Sequence, residues 1–214
     1  MARKHNVVLS PDLHDFLIGS LLGDGSFVQK TERHNCYIVF SQCANQLEYL
    51  KWKYDFLDSH GAINSDAGIK KVCMATRHCY PNAQDQYRFS TKSCPEFNQY
   101  KHRNRAALID EINELGLVVY MLDDGSIDSG CIKISCGTLN EGERAAVCNA
   151  FNRVAGVMVN IYEHPNNPRK DYFRITSRYY DLLRTMAMKY VPDNTDIMMR
   201  KFGGFSGECK SKVS

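Results

Sequence analysis

The strongest constraint on this chain is that it contains the same motif twice. Residues 16–26 read FLIGSLLGDGS and residues 116–126 read GLVVYMLDDGS, each an apolar helical run stopped by Asp-Gly-Ser. The glycines that follow the aspartates are expected as left-handed C-terminal residues, which places Asp24 and Asp124 at helix C-termini. A carboxylate there faces the negative end of the macrodipole, a cost of about 0.3–1 kcal/mol that a nearby cation removes. Two matched carboxylates beside exposed backbone carbonyls form an all-oxygen environment suited to a hard divalent ion such as Mg²⁺.

Other features recur with the motif. A helix with apolar residues Leu47, Leu50, Tyr54 and Leu57 is expected over 45–61, with a counterpart over 140–156, both closed by glycine. Residues 87–93 (YRFSTKS) match 172–178 (YFRITSR) with Arg88 set on Arg174, and Lys101 falls on Lys201 at the offset that relates the two aspartates. Alternating segments at 36–41, 72–76, 86–90, 131–136, 157–162 and 172–176 read as strands. The fold class is therefore α+β: two αββαββα repeats over residues 1–105 and 106–214, with 106–116 as the join.

Composition narrows the class. The 214 residues are 43% apolar without a run of eighteen apolar residues, and no secretory core follows the first six residues, so a globular protein with no membrane partner is expected. Nine cysteines, an odd number without a Cys-x-x-Cys, suggest reduced thiols in an intracellular compartment, organellar or cytoplasmic. Cys73, His78 and Cys79 lack the second spaced pair that a zinc site needs. Net charge is only +3, but its distribution is uneven. Residues 51–105 and 165–214 each hold ten Lys or Arg against five Asp or Glu, whereas 106–164 hold three against nine. Each half thus offers one positive surface to a polyanion.

The doubled apolar helix ending in Asp-Gly, inside two αββαββα units, resembles the LAGLIDADG homing endonucleases in their single-chain, two-repeat form. Residues 17–25 and 117–125 occupy the family's nine positions, and the resemblance covers nearly the whole chain. It implies that the two motif helices pack together at a pseudo-twofold axis, between two sheets that form a saddle, in a monomer. Gly19, Ser20 and Gly23 supply small residues for that packing, while Val118, Val119 and Tyr120 make the second copy bulkier. The family's proline before the second motif helix is missing here.

On this reading Asp24 and Asp124 lie side by side and hold divalent metal, with the backbone carbonyls of Gly23 and Asp123 completing the coordination and the Asp123 side chain outside it. Lys101 and Lys201 each lie near one scissile phosphate. The resemblance implies cleavage of both strands of double-stranded DNA across the minor groove, leaving 3′ overhangs. Calcium is expected to support binding without hydrolysis. Strand alternation turns Phe89, Ile132, Ile134, Phe173 and Ile175 towards the helices and leaves Gln86, Arg88, Lys133, Ser135 and Arg174 on the opposite face to read base edges. Lys70, Lys71 and Arg77 are placed on phosphates, and the loops 29–35 and 166–171 add Gln29 and Lys170. Competing readings are a maturase that binds host intron RNA, a non-cleaving DNA-binding regulator, and a metal enzyme acting on another substrate. The last finds no phosphate-binding glycine loop, nucleophile constellation or dinucleotide fingerprint.

Overall fold

Helix α1 (Pro11–Leu22) starts where Ser10 accepts the Leu13 N–H at 3.2 Å and proline occupies the first turn. It is followed by β1 (Ser26–Val28), β2 (Tyr37–Cys43), α2 (Leu47–Ser59), β3 (Lys70–Val72), β4 (Gln86–Ser90) and the short α3 (Gln99–His102). A linking helix, α4 (Arg105–Asp110), leads into α5 (Glu114–Asp124). The second repeat continues through β5 (Gly125–Asp128), β6 (Cys131–Ser135), α6 (Glu141–Ala155), β7 (Asn160–Tyr162), β8 (Tyr172–Thr176), α7 (Tyr180–Met188) and α8 (Asp196–Phe202). This computed structural model describes residues 7–64, 66–72, 85–128 and 130–202.

Each repeat forms one antiparallel four-stranded sheet, ordered β1-β2-β4-β3 and β5-β6-β8-β7. Alternation along β2, β4, β6 and β8 buries Ile38, Phe40, Phe89, Ile132, Ile134, Phe173 and Ile175 under the helices, as the period-two pattern requires. The two motif helices, α1 and α5, make the most extensive contact between helices and sit at the centre of one continuous apolar core. The αββαββα pair expected from the sequence is the fold observed. The join contains helix: α4 packs on α6, and α5 begins at Glu114.

Glycine allows the central helices to touch. A Cβ on Gly19 would lie 2.2 Å from the carbonyl oxygen of Gly116, so the two backbones meet there directly. The small residue on the second helix is thus Gly116, two to four residues before the bulky Val118, Val119 and Tyr120, all of which are buried. The glycines after the aspartates do not adopt the left-handed conformation expected of them. Gly125 has φ −75°, and among the described glycines positive φ occurs only at Gly61, Gly130 and Gly156. Their requirement is spatial: a Cβ on Gly25 would come within 2.6 Å of the Ser20 carbonyl oxygen, and one on Gly125 within 2.2 Å of that of Met121. The strand that follows each motif helix turns back over the helix's own last turn, leaving no room for a side chain.

The candidate active site

The packing of α1 against α5 brings the ends of the two motifs together. Asp24 and Asp124 feel each other's charge, and Asp24 is exposed while Asp124 is partly buried. Burial, then repulsion from Asp24 and Asp123, pushes the Asp124 carboxyl up from its ordinary 3.8 to about 7; Lys201 and Lys53 pull in the opposite direction. Carboxylates crowded this closely favour protonation or a bound cation.

Lys201, in α8, is mostly withdrawn from solvent and donates from Nζ to the carbonyl of Gly125, directly after the second acid. Burial and the neighbouring Arg200 lower its pKa to about 8 against the attraction of all three aspartates. Lys101, at the matching offset, is exposed on α3, whose Tyr100 hydroxyl meets His14 Nδ1 at 2.6 Å while the Tyr100 ring centroid lies 5.8 Å from that of Phe27, three residues beyond Asp24. Arg105 also reaches the end of α1, its guanidinium donating to the Leu21 carbonyl at 2.9 Å.

Three further residues form part of the site that the sequence pattern did not single out. Gln42, on β2, donates its amide to Asp24 Oδ2 at 2.6 Å. Lys53 and Tyr49, one turn apart on α2, converge on Asp123 Oδ1 at 2.5 and 2.8 Å. Lys53 is completely buried, and its ammonium lies over the rings of Phe40 and Tyr49. The other Asp123 oxygen accepts the backbone N–H of Asp24 at 3.0 Å. Both oxygens of the Asp123 side chain are therefore committed to protein partners. Burial raises its pKa, with Lys53 opposing. The signal for Lys53 was its spacing: it stands four residues from Tyr49 and from Leu57, on the buried stripe of α2, where a lysine needs a partner.

The sheet face opposite the helices carries the other expected side chains. Gln86, Arg88, Ser135 and Arg174 are exposed there, as are Lys70 and Lys71 on β3 and Lys170 in the turn before β8. Lys71 pairs with Asp85 at 2.5 Å, and Lys133, half-buried, pairs with Asp128 at 2.5 Å and covers the Tyr172 ring. Gln29 turns inward in its own loop, donating to the His34 carbonyl at 2.8 Å. Arg77, residues 73–76 of the expected strand and the Cys73, His78, Cys79 group lie outside the described residues. Arg88 and Arg174 do not occupy equivalent rungs. Ser26 pairs with Val39 and through it Ser90, whereas Ser126 pairs with Lys133 and through it Arg174. Arg88 lies two residues further along its sheet, opposite Ser41.

Comparisons with known proteins bear on the family and the fold. The model of the LAGLIDADG DNA endonuclease family matches residues 14–154. A structure of the homing endonuclease I-WcaI bound to its DNA recognition sequence superposes with a TM-score of 0.72 at 20% identity, covering 94% of this chain and 89% of that one. I-DmoI in complex with DNA and Mn superposes at 0.56 with 16% identity, covering 87% and 100%. The N-terminal LAGLIDADG domain of DUF199/WhiA superposes at 0.52 with 11% identity, covering 85% and 83%. No curated protein matches by sequence.

Proposed function

Because the chain belongs to the LAGLIDADG DNA endonuclease family, we propose that it is a site-specific homing endonuclease that binds a long asymmetric double-stranded DNA site and hydrolyses one phosphodiester on each strand with Mg²⁺. The observation that carries this reading is the juxtaposition of Asp24 and Asp124 at the packed ends of α1 and α5, with the Asp124 carboxyl raised to about 7 by burial and by repulsion from Asp24 and Asp123. The donor set, two carboxylates with the main-chain carbonyls of Gly23 and Asp123, is all oxygen and fits a hard divalent ion. Such an ion supplies Lewis-acid activation of water and charge neutralisation at the phosphate.

The chain's own residues have distinct roles on this reading. Gln42 fixes the rotamer of Asp24 through its amide, and Lys201 supplies positive charge beside Asp124, where charge develops on the cleaved phosphate. Arg88 and Arg174 read base edges in the major groove. Lys70, Lys71 and Lys170 bind phosphates, which positions the DNA without reading it. Surface pairs such as Lys71 with Asp85 are weak enough for phosphate to compete. The different rungs of Arg88 and Arg174 suit a non-palindromic site. We further propose that the protein acts as a monomer, is encoded in an intron, works in an intracellular reducing compartment and leaves 3′ overhangs.

The test is cleavage selection from a randomised or genomic DNA library with Mg²⁺ and, in parallel, Ca²⁺. The expected result is one long site, cut on both strands with Mg²⁺ and bound but uncut with Ca²⁺. No cleaved sequence under Mg²⁺, with tight binding of a structured intron RNA, would replace this reading with that of a maturase.

A further inference from the structure

The two motifs match in sequence but end differently in space. Helix α5 runs through its acid, Asp124, whereas α1 stops at Leu22, two residues before Asp24. Gly23 leaves the helix with φ −100° and ψ −129°, so the Asp24 N–H has no carbonyl of its own helix to bond. It bonds to Asp123 Oδ2 of the other repeat. Gly23 also makes room for that contact, because a Cβ there would come within 2.5 Å of Asp123 Cβ and Oδ2.

What holds Asp123 is costly. Lys53 and Asp123 are both fully withdrawn from water as side chains, and a buried ion pair is often no more stabilising than well-packed apolar residues of similar volume. Helix packing alone would be satisfied by leucine and methionine here. The arrangement is also one-sided. With α2 aligned on α6, Tyr49 and Lys53 correspond to Arg144, which pairs with Asp171 at 2.9 Å, and to the half-buried Cys148. The position matching Asp123 in the first motif is Gly23.

We propose that Asp123, gripped by Lys53 and Tyr49, is a positioning residue for Asp24 alone, so that the contribution of the first-repeat acid to cleavage can be weakened without equal loss at the second. The proposal rests on the endonuclease reading above. An acid placed by its own helix, Asp124, needs no such support. An acid outside its helix has its main chain fixed by this one carboxylate and its side chain by Gln42. Partners of this kind, one step removed from a metal ligand, are typically worth about 10–100-fold in activity.

The experiment uses the full chain and a supercoiled plasmid carrying the site recovered by selection, with end-labelled duplexes to resolve the strands. Asp123→Leu with Lys53→Met removes the acceptor and both charges while filling the space. Asp123→Asn with Lys53→Met also removes the charges but keeps an oxygen for the Asp24 N–H. The Leu/Met protein is expected to accumulate nicked circles, one strand slowed about tenfold or more and the other within about threefold. The slowed strand should be the one that Gln42→Ala slows. The Asn/Met protein should restore the parental strand ratio. Metal-free DNA affinity and melting temperature establish that each variant is folded. If Leu/Met melts below the assay temperature, Tyr49→Phe takes its place and should shift the strand ratio in the same direction by about twofold. Equal slowing of both strands, an unchanged ratio, or slowing of the strand that Gln42→Ala spares would each overturn the proposal. A parent protein that cuts neither strand would instead overturn the endonuclease reading, and this inference with it.

Discussion

Replacing Gly19 with alanine adds a single methyl group where the two motif helices meet, and the structure specifies what it would strike. The new Cβ lies 2.2 Å from the Gly116 carbonyl oxygen and 2.9 Å from its C and Cα. Real Cβ contacts essentially never fall below 3.0 Å, so the backbones must part by roughly 1 Å. Neither partner is a side chain that can change rotamer. Inserting one carbon into a packed core costs about 1–3 kcal/mol, and a backbone collision belongs at the upper end. Alanine returns up to about 1 kcal/mol of helix propensity. The expected net destabilisation is therefore about 2 kcal/mol, or a melting temperature lower by about 4–8 °C for a chain of this size. Gly142→Ala is the matched control. It makes the same chemical change in the first turn of α6, where the nearest atom is 3.4 Å away, and should leave stability unchanged or slightly raised. Thermal and urea unfolding of the two variants beside the parent decide the matter. Equal stability of Gly19→Ala and Gly142→Ala would refute the claim that the helices touch through bare backbone at this point.

Asp24→Asn and Asp124→Asn should each abolish cleavage in Mg²⁺ with little loss of DNA affinity, since the acids repel phosphate when metal is absent; full activity of either variant would remove that residue from the essential set. The raised Asp124 carboxyl also makes metal-free stability depend on pH. The folded chain keeps a proton up to about pH 7 that the unfolded chain releases near 3.8, so this group's stabilisation is present below pH 4 and is lost as pH rises to 7. Asp124→Asn should flatten that slope, raise metal-free stability at pH 8 by on the order of 2 kcal/mol, and abolish stabilisation by added Mg²⁺ in a melting series. Neutralising Arg88 or Arg174 should cost about 1–3 kcal/mol per lost bidentate contact and relax specificity at a few base pairs. Neutralising Lys70 should weaken all sequences alike and flatten the dependence on salt. A salt titration against matched and mismatched duplexes separates the two classes.

The parts of this molecule legible in sequence are those set by repetition and period. The doubled motif located both central helices, and strand alternation sorted Phe89 and Phe173 from Arg88 and Arg174 correctly, because one buried face of a sheet leaves only one register. What period and offset cannot convey is how the halves have diverged. The shared offset of Lys101 and Lys201 hides unequal surroundings: Lys201 is half-buried on the Gly125 carbonyl, whereas Lys101 is exposed on α3. The glycines after the acids were read by their commonest use, whereas steric exclusion, invisible without coordinates, explains them. Gln42 and Lys53 act across long sequence separations, Lys53 on a residue 70 positions away. Of these only Lys53 left a trace, as a charge on an otherwise apolar helical stripe.

The central helices also complete each other's ends. Asp15 of α1 accepts the N–H groups of Asn113 and Gly116 at 2.6 and 2.8 Å, at the start of α5, where Asn113 provides no side-chain cap of its own. In return Asp123 of α5 accepts the N–H of Asp24 just beyond α1. The lock is complementary rather than self-complementary: position 15 of one half serves positions 113 and 116 of the other, and position 123 serves position 24. Two copies of the first half would bring together two Asp15 and two Phe16 where the chain has Asp15 and Gly116, with no carboxylate at all where Asp123 stands. The halves have thus become obligate heteropartners. A chimera that takes one half from a relative inherits a working joint only if Asp15, Gly19, Gly23, Gly116 and Asp123 travel as a set, which makes these five positions the natural unit of exchange when such chains recombine.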